Sequence, residues 1–217
     1  IYNDINTLPP EMGQLKHLET ISLWDNNLTV LPPEFTQLSN LKHLSLTYNP
    51  LESFPTVILP LNNLRTLELL GTGLTSLPPE ITQLTTLQEL WLGDNQLTRL
   101  PDDIGNLSAL NVLQVSGNQI TTIPESIGNL KNLQKLFLHN NQITIVPDQI
   151  GELTNLEWLT LDNNQLNDLP NSLANLAQLE FIDLINNPWT ELPDEVDRLS
   201  VPAVLEYLRN RREGVES

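Results

Sequence analysis

General acid–base or nucleophilic chemistry needs a nucleophile, a base and an orienting group within hydrogen-bond reach, and the titratable residues of this chain are spaced against it. His43 and His139 both face outward from the strand side of a 23-residue register but lie four units apart, which is about 19 Å at ~4.8 Å per strand. They cannot share a ligand or a proton, and His17 belongs to a connecting segment. Glu68 and Glu89 would lie on adjacent strands, where an acid pair could resemble that of a glycosidase. An open sheet, however, offers no pocket to desolvate them. Asp25, Asp94 and their neighbours carry oxygen ligands for calcium, but no loop concentrates enough of them. With no cysteine in the chain, disulfides and thiolate metal sites are excluded, and no Gly-rich, lysine-containing loop is present to cradle phosphate. No catalytic residue, metal site or cofactor is assigned.

Recognition is the chemistry these residues favour. Trp24, Tyr48, Trp91, Phe137, Trp158 and Phe181 fall on or beside outward-facing strand positions, whereas Phe35 and Phe54 replace core residues. Folding requires no large ring at an outward position, and aromatic anchors carry a disproportionate share of interface energy. Packing of rings on one another across strands would account for them more modestly. The candidate partner-binding set is Trp24, Tyr48, Glu68, Glu89, Trp91, Gln114, Lys135, Phe137, His139, Trp158, Thr160, Asp162, Phe181 and Asp183. Trp91, Phe137, Trp158 and Phe181 are expected to cluster, ringed by Glu89, Glu157, Asp162, Glu180 and Asp183. A protein partner with an apolar patch and basic flanks would fit. The net charge of -17 repels phosphate backbones and excludes nucleic acid. No apolar run approaches the roughly 18 residues that cross a bilayer, so no membrane insertion is expected.

These side chains need elements to position them, and the chain repeats itself to supply them. Leucines open successive units at Leu18, Leu41, Leu64, Leu87, Leu110, Leu133, Leu156 and Leu179, 23 residues apart without a gap. Each unit reads LxxLxLxxNxLxxLPxxIxxLxx, as in Leu87, Leu90, Leu92, Asn95, Leu97, Leu100, Pro101, Ile104 and Leu107. Alternation around Leu90-Trp91-Leu92 predicts a short strand with its leucines inward. The asparagine that follows predicts a turn whose amide bonds otherwise unpaired backbone groups. The resulting ladder runs Asn3, Asn26, Asn49, Thr72, Asn95, Asn118, Asn141, Asn164 and Asn187, with only Thr72 departing. Proline with acidic neighbours, as in Leu77-Pro78-Pro79-Glu80-Ile81, opens a short helix or turn. Its Ile and Leu, such as Ile127 and Leu130, return to the same core. One unit cannot bury this core alone; stacking supplies the missing wall.

The unit resembles the leucine-rich-repeat family, in its 23-residue class with leucine-proline before the convex segment. That class is common in bacterial proteins and Ras-linked intracellular scaffolds. The resemblance implies an α/β fold: a right-handed horseshoe-like solenoid with a parallel β-sheet on the concave face and short helices or turns on the convex face. Residues 1–199 are expected to form the solenoid, a partial unit over 1–17 and eight full units from Leu18, and 200–217 a C-terminal capping helix and tail. Val201, Val204, Leu205 and Leu208 share the helix stripe that would cover the last unit. Ile1 falls at a strand end, so an uncapped N-terminal edge and weak end-to-end association of an otherwise monomeric chain are expected. The closing helix also resembles the one that joins repeats to a GTPase module in Roco-type proteins. The resemblance thus implies a non-catalytic protein-interaction scaffold. Two alternatives stay open: a substrate-recruiting segment of a larger signalling or effector enzyme (Roco-type GTPase, kinase or ubiquitin ligase), and a carbohydrate-binding surface. Lack of cysteine points to a reducing, cytoplasmic compartment, with a secreted effector as the alternative.

Overall fold

Each unit begins with a strand of three residues, because the inward leucines are followed at once by a turn. The computed structural model describes residues 3–192 and 198–214, so the strand end expected at Ile1 lies outside the described residues. The strands are β1 (Thr20–Ser22), β2 (His43–Ser45), β3 (Thr66–Glu68), β4 (Glu89–Trp91), β5 (Val112–Gln114), β6 (Lys135–Phe137), β7 (Trp158–Thr160) and β8 (Phe181–Asp183). They form one parallel sheet in chain order. Leu67 pairs with Leu90, and Leu90 with Leu113, so equivalent residues stack in columns. The central leucines of β2 to β7 are buried and join the convex residues in one continuous core.

The turn after the strand bends through the left-handed region once per unit. Asp25, Asp94, Asn140, Asn163 and Asn186 have φ of 54 to 57°, and Gly71 and Gly117 have 60 and 65°. These types tolerate that region best. Tyr48, with φ of 53°, is the exception. The asparagine ladder follows one residue later. Asn95 Nδ2 donates to Leu69 O at 2.7 Å and Leu92 O at 2.9 Å, while its Oδ1 accepts from Leu74 N at 3.0 Å. Asn118 repeats the pattern with Leu92 O and Leu97 N. Each amide thereby sews its own turn to the preceding unit. Thr72 is too short to reach back: its Oγ1 donates to Leu69 O. Leu51 N, which a longer amide would have met, donates to Asn49 O at 2.8 Å instead.

Convex segments are short 3-10 helices, such as Pro79–Gln83 and Glu125–Asn129, and they bury Ile81 and Ile127. Proline at the start of the first fixes φ where no helical donor is needed. Gly105, Gly128 and Gly151 hold one position of the register, and Gly13 holds it in the first unit. A Cβ on Gly105, Gly128 or Gly151 would stand 2.0, 2.8 or 2.3 Å from a backbone oxygen of the next unit. Close approach, not unusual backbone geometry, therefore demands glycine here. Where Thr36, Leu59 and Thr82 hold that position, the neighbouring convex segments pack less closely. Helix α1 (Val201–Glu213) packs on the last 3-10 segment, Asn171–Asn175, with Val204 and Leu208 buried. Arg211 pins it: Nη1 donates to Asp168 Oδ1 and Nε to Asn171 Oδ1, both at 2.6 Å, and Nη2 to Leu169 O.

Candidate functional site

Strand parity sends every residue between the inward leucines to the concave face, where the register sorts them into columns. Thr20, His43, Thr66, Glu89, Val112, Lys135, Trp158 and Phe181 form one; Ser22, Ser45, Glu68, Trp91, Gln114, Phe137, Thr160 and Asp183 form the next. This resolves the expected aromatic cluster into pairs. Trp158 and Phe181 stack at 4.3 Å between ring centroids, in adjacent strands. Trp91 and Phe137 lie in the other column, 6.4 Å apart, leaning over the intervening Gln114. Trp24 and Tyr48 form a third pair at 6.2 Å, tilted by 53°.

Several candidates serve these rings or one another. Trp91 Nε1 donates to Glu89 Oε2 at 3.0 Å, which fixes the indole. Glu68 faces Trp91 across the register, not Glu89, so the two glutamates do not form an opposed acid pair. The Gln114 amide fills space left by Gly93, where a Cβ would stand 2.5 Å from it. His43 Nδ1 meets Thr66 Oγ1 at 3.0 Å, and His139 Nδ1 meets Thr160 Oγ1 at 2.9 Å. Each histidine is tied to a threonine one unit on. Thr160 is itself buried at 8% exposure and offers a partner little surface. Lys135 is exposed on β6 beside Trp158. Asp183 Oδ1 accepts from Ile185 N at 3.1 Å. Ile185, 46% exposed, follows Phe181 and Asp183 at the next outward position of its unit.

Three family models describing leucine-rich repeats match the chain. The model for a leucine-rich repeat region covers residues 36–115 and 87–163, and models for two copies and for a single repeat cover 2–58 and 155–176. The chain belongs to the leucine-rich-repeat family. Among solved structures, a leucine-rich-repeat protein of Leptospira interrogans is 38% identical over 89% of this chain and 61% of its own, with a TM-score of 0.61. Internalin C2 of Listeria monocytogenes is 28% identical over 84% of this chain and 77% of its own, with a TM-score of 0.76. A plant peptide hormone receptor, RGFR1, in complex with RGF2, is 28% identical over 84% of this chain and 34% of its own, with a TM-score of 0.70. This chain thus spans about three fifths of the Leptospira protein's length. No curated protein matches it. Leucine-rich-repeat proteins of this kind are typically protein-interaction scaffolds. Among the described residues, no helix is long and apolar enough to cross a membrane, and no group of three or more histidine or acidic side chains could hold a metal ion.

One carboxylate of this repeat face is held at a cost. Burial, and then the nearby Asp183, push the Asp162 carboxyl above its ordinary value. The folded chain therefore binds this proton more tightly than the unfolded one, and stability falls as pH rises through the carboxylate range. Asp162→Asn is expected to raise Tm at pH 7, and the gain should vanish as the pH falls below about 4, where both states are protonated. Thermal melts of the two proteins at both pH values check this; an unchanged or lower Tm at pH 7 contradicts it.

Proposed function

We propose that this leucine-rich-repeat chain is a non-catalytic scaffold that holds a protein partner on its concave strand face. The observation that carries the reading is the Trp158–Phe181 stack, with Trp158 39% exposed. A ring pair kept in water on a sheet that needs no outward aromatics is surface awaiting cover. Asp162 and Asp183 flank it, so the partner surface is apolar at its centre and basic at its margin. RGFR1, a structural neighbour, is seen in complex with RGF2, which supports a polypeptide ligand.

Trp158→Ala is expected to weaken the partner by about 2 kcal/mol, roughly 30-fold, with unfolding nearly unchanged because the ring is not core. Differential capture by the wild-type and Trp158→Ala chains identifies the partner, and titration calorimetry then measures the loss. Equal affinity of the two chains would move the site off this face. Retention by immobilised glycans but by no protein would instead favour a carbohydrate ligand for the same rings.

A further inference from the structure

The N-terminal half of the concave face holds an open depression of about 470 Å³, bounded by Trp24 and Tyr48 on one side and Trp91 on the other. Its space comes from sequence: Ser22 and Ser45 stand where the next two units carry Glu68 and Trp91, and Thr47 stands where a later unit carries His139. Leu70 adds an apolar surface, and Glu68 is the charged side chain among the described residues that line it. Trp91 is held in place by its bond to Glu89.

Tyr48 is what marks the depression as built. It occupies the left-handed turn position, which Asp, Asn or Gly fills in every other described unit. A bulky side chain with positive φ is a genuine outlier, and such strain gathers at functional sites. The next unit accommodates it: a Cβ on Gly71 would stand 2.4 Å from Tyr48 Cδ1, so only a glycine leaves room for the ring. Tyr48 and Gly71 stand next to each other at this register position, and their joint result is an aromatic wall 45% exposed at Tyr48.

We propose that this pocket receives one arginine side chain of the protein partner, an assignment that rests on the concave-face reading above. The strongly acidic chain, with its charge of -17, draws a basic ligand. Of the two basic side chains, the flat guanidinium stacks on aromatic faces and forks onto a carboxylate. The wall rings supply the faces and Glu68 the carboxylate.

The test is direct binding of the peptide acetyl-Gly-Gly-Arg-Gly-Gly-amide, followed by NMR on the indole N–H signals. Trp24→Phe and Trp91→Phe assign the two signals in question. The arginine peptide is expected to shift both saturably at millimolar concentration. Its citrulline counterpart, equal in shape but uncharged, should bind about tenfold more weakly, and its lysine counterpart about threefold more weakly. Glu68→Gln and Tyr48→Asn should each weaken the arginine peptide about fivefold or more. Tyr48→Asn should do so with Tm unchanged or raised, since asparagine relieves the backbone strain. That combination separates a binding residue from a structural one.

Absence of a saturable shift overturns the proposal, as does a shift centred on Trp158, or citrulline binding equal to arginine. Lysine binding as tight as arginine would overturn the guanidinium assignment. Failure of the peptide while partner capture still depends on Trp158 discards this pocket alone; peptide binding with partner capture indifferent to Trp158 discards the scaffold reading alone.

Discussion

Replacing Asn95 by alanine is expected to cost about 4 kcal/mol of unfolding free energy. The side chain is 7% exposed. Its Oδ1 accepts from Leu74 N, Thr72 N and Thr72 Oγ1, and its Nδ2 donates to Leu69 O, Leu92 O and Gly93 O. Truncation leaves two buried backbone N–H groups without an acceptor, and each such orphan costs about 1 to 3 kcal/mol. Thr72 compounds the loss, because it is the one rung among residues 26 to 187 that lacks an amide of its own. The junction of the units holding Asn49 and Thr72 therefore already lacks an amide, so loss of Asn95 leaves two successive junctions without one, and repeat stability depends on neighbouring interfaces. Asn155→Ala supplies the contrast. Its Nδ2 donates to Lys131 O at 2.7 Å in an exposed setting, where water replaces the bond and the cost should stay below about 1 kcal/mol. Urea unfolding of the two variants checks both figures. A loss below about 1 kcal/mol for Asn95→Ala would remove the ladder from the forces that hold the stack together.

The inner ladder was legible because its letters recur every 23 residues beside leucines that fix the phase. Repetition makes one correct unit into eight, and the strands, the buried columns and the convex turns followed from it. A second ladder recurs at the same spacing and is harder to see. Asn40, Asn63, Asn132 and Asn155 donate to Lys16, Ser39, Ser108 and Lys131 carbonyls at 2.7 to 2.9 Å. These residues are polar and exposed, so they blend into the expected surface of any repeat. Parity alone puts Trp91, Phe137, Trp158 and Phe181 at outward strand positions. Their grouping was not legible, because it depends on which of two outward columns each ring occupies and how far it leans. The φ of Tyr48 and the reach of Arg211 to Asp168 belong to no period at all. The one clue to Tyr48 was the register itself, which puts a bulky ring where the described neighbours carry Asp, Asn or Gly.

Gly105→Val is expected to cost about 3 kcal/mol, at the upper end of what overpacking costs. The new Cβ would stand 2.0 Å from Ser126 O and 2.9 Å from Asn129 Cβ. A backbone oxygen cannot rotate aside as a side-chain tip can, so relief requires the convex segments Ile104–Asn106 and Glu125–Asn129 to separate. Separation stretches the convex layer while the sheet spacing stays fixed by its backbone bonds, so strain must accumulate in the buried Ile104 and Ile127 between them. Loss of glycine's freedom in the unfolded chain returns only about 0.4 to 1 kcal/mol. Thr36→Val tests the geometric cause, because it places the same side chain at the same register position where threonine is already exposed and the convex segments are looser. Its cost should fall within about 0.5 kcal/mol of zero. Amide exchange adds a local readout: protection should drop in the two named segments of Gly105→Val and not in strands β5 and β6. Equal costs for the two valines would mean that valine's poor fit to a 3-10 turn, not the closeness of neighbouring units, sets the penalty.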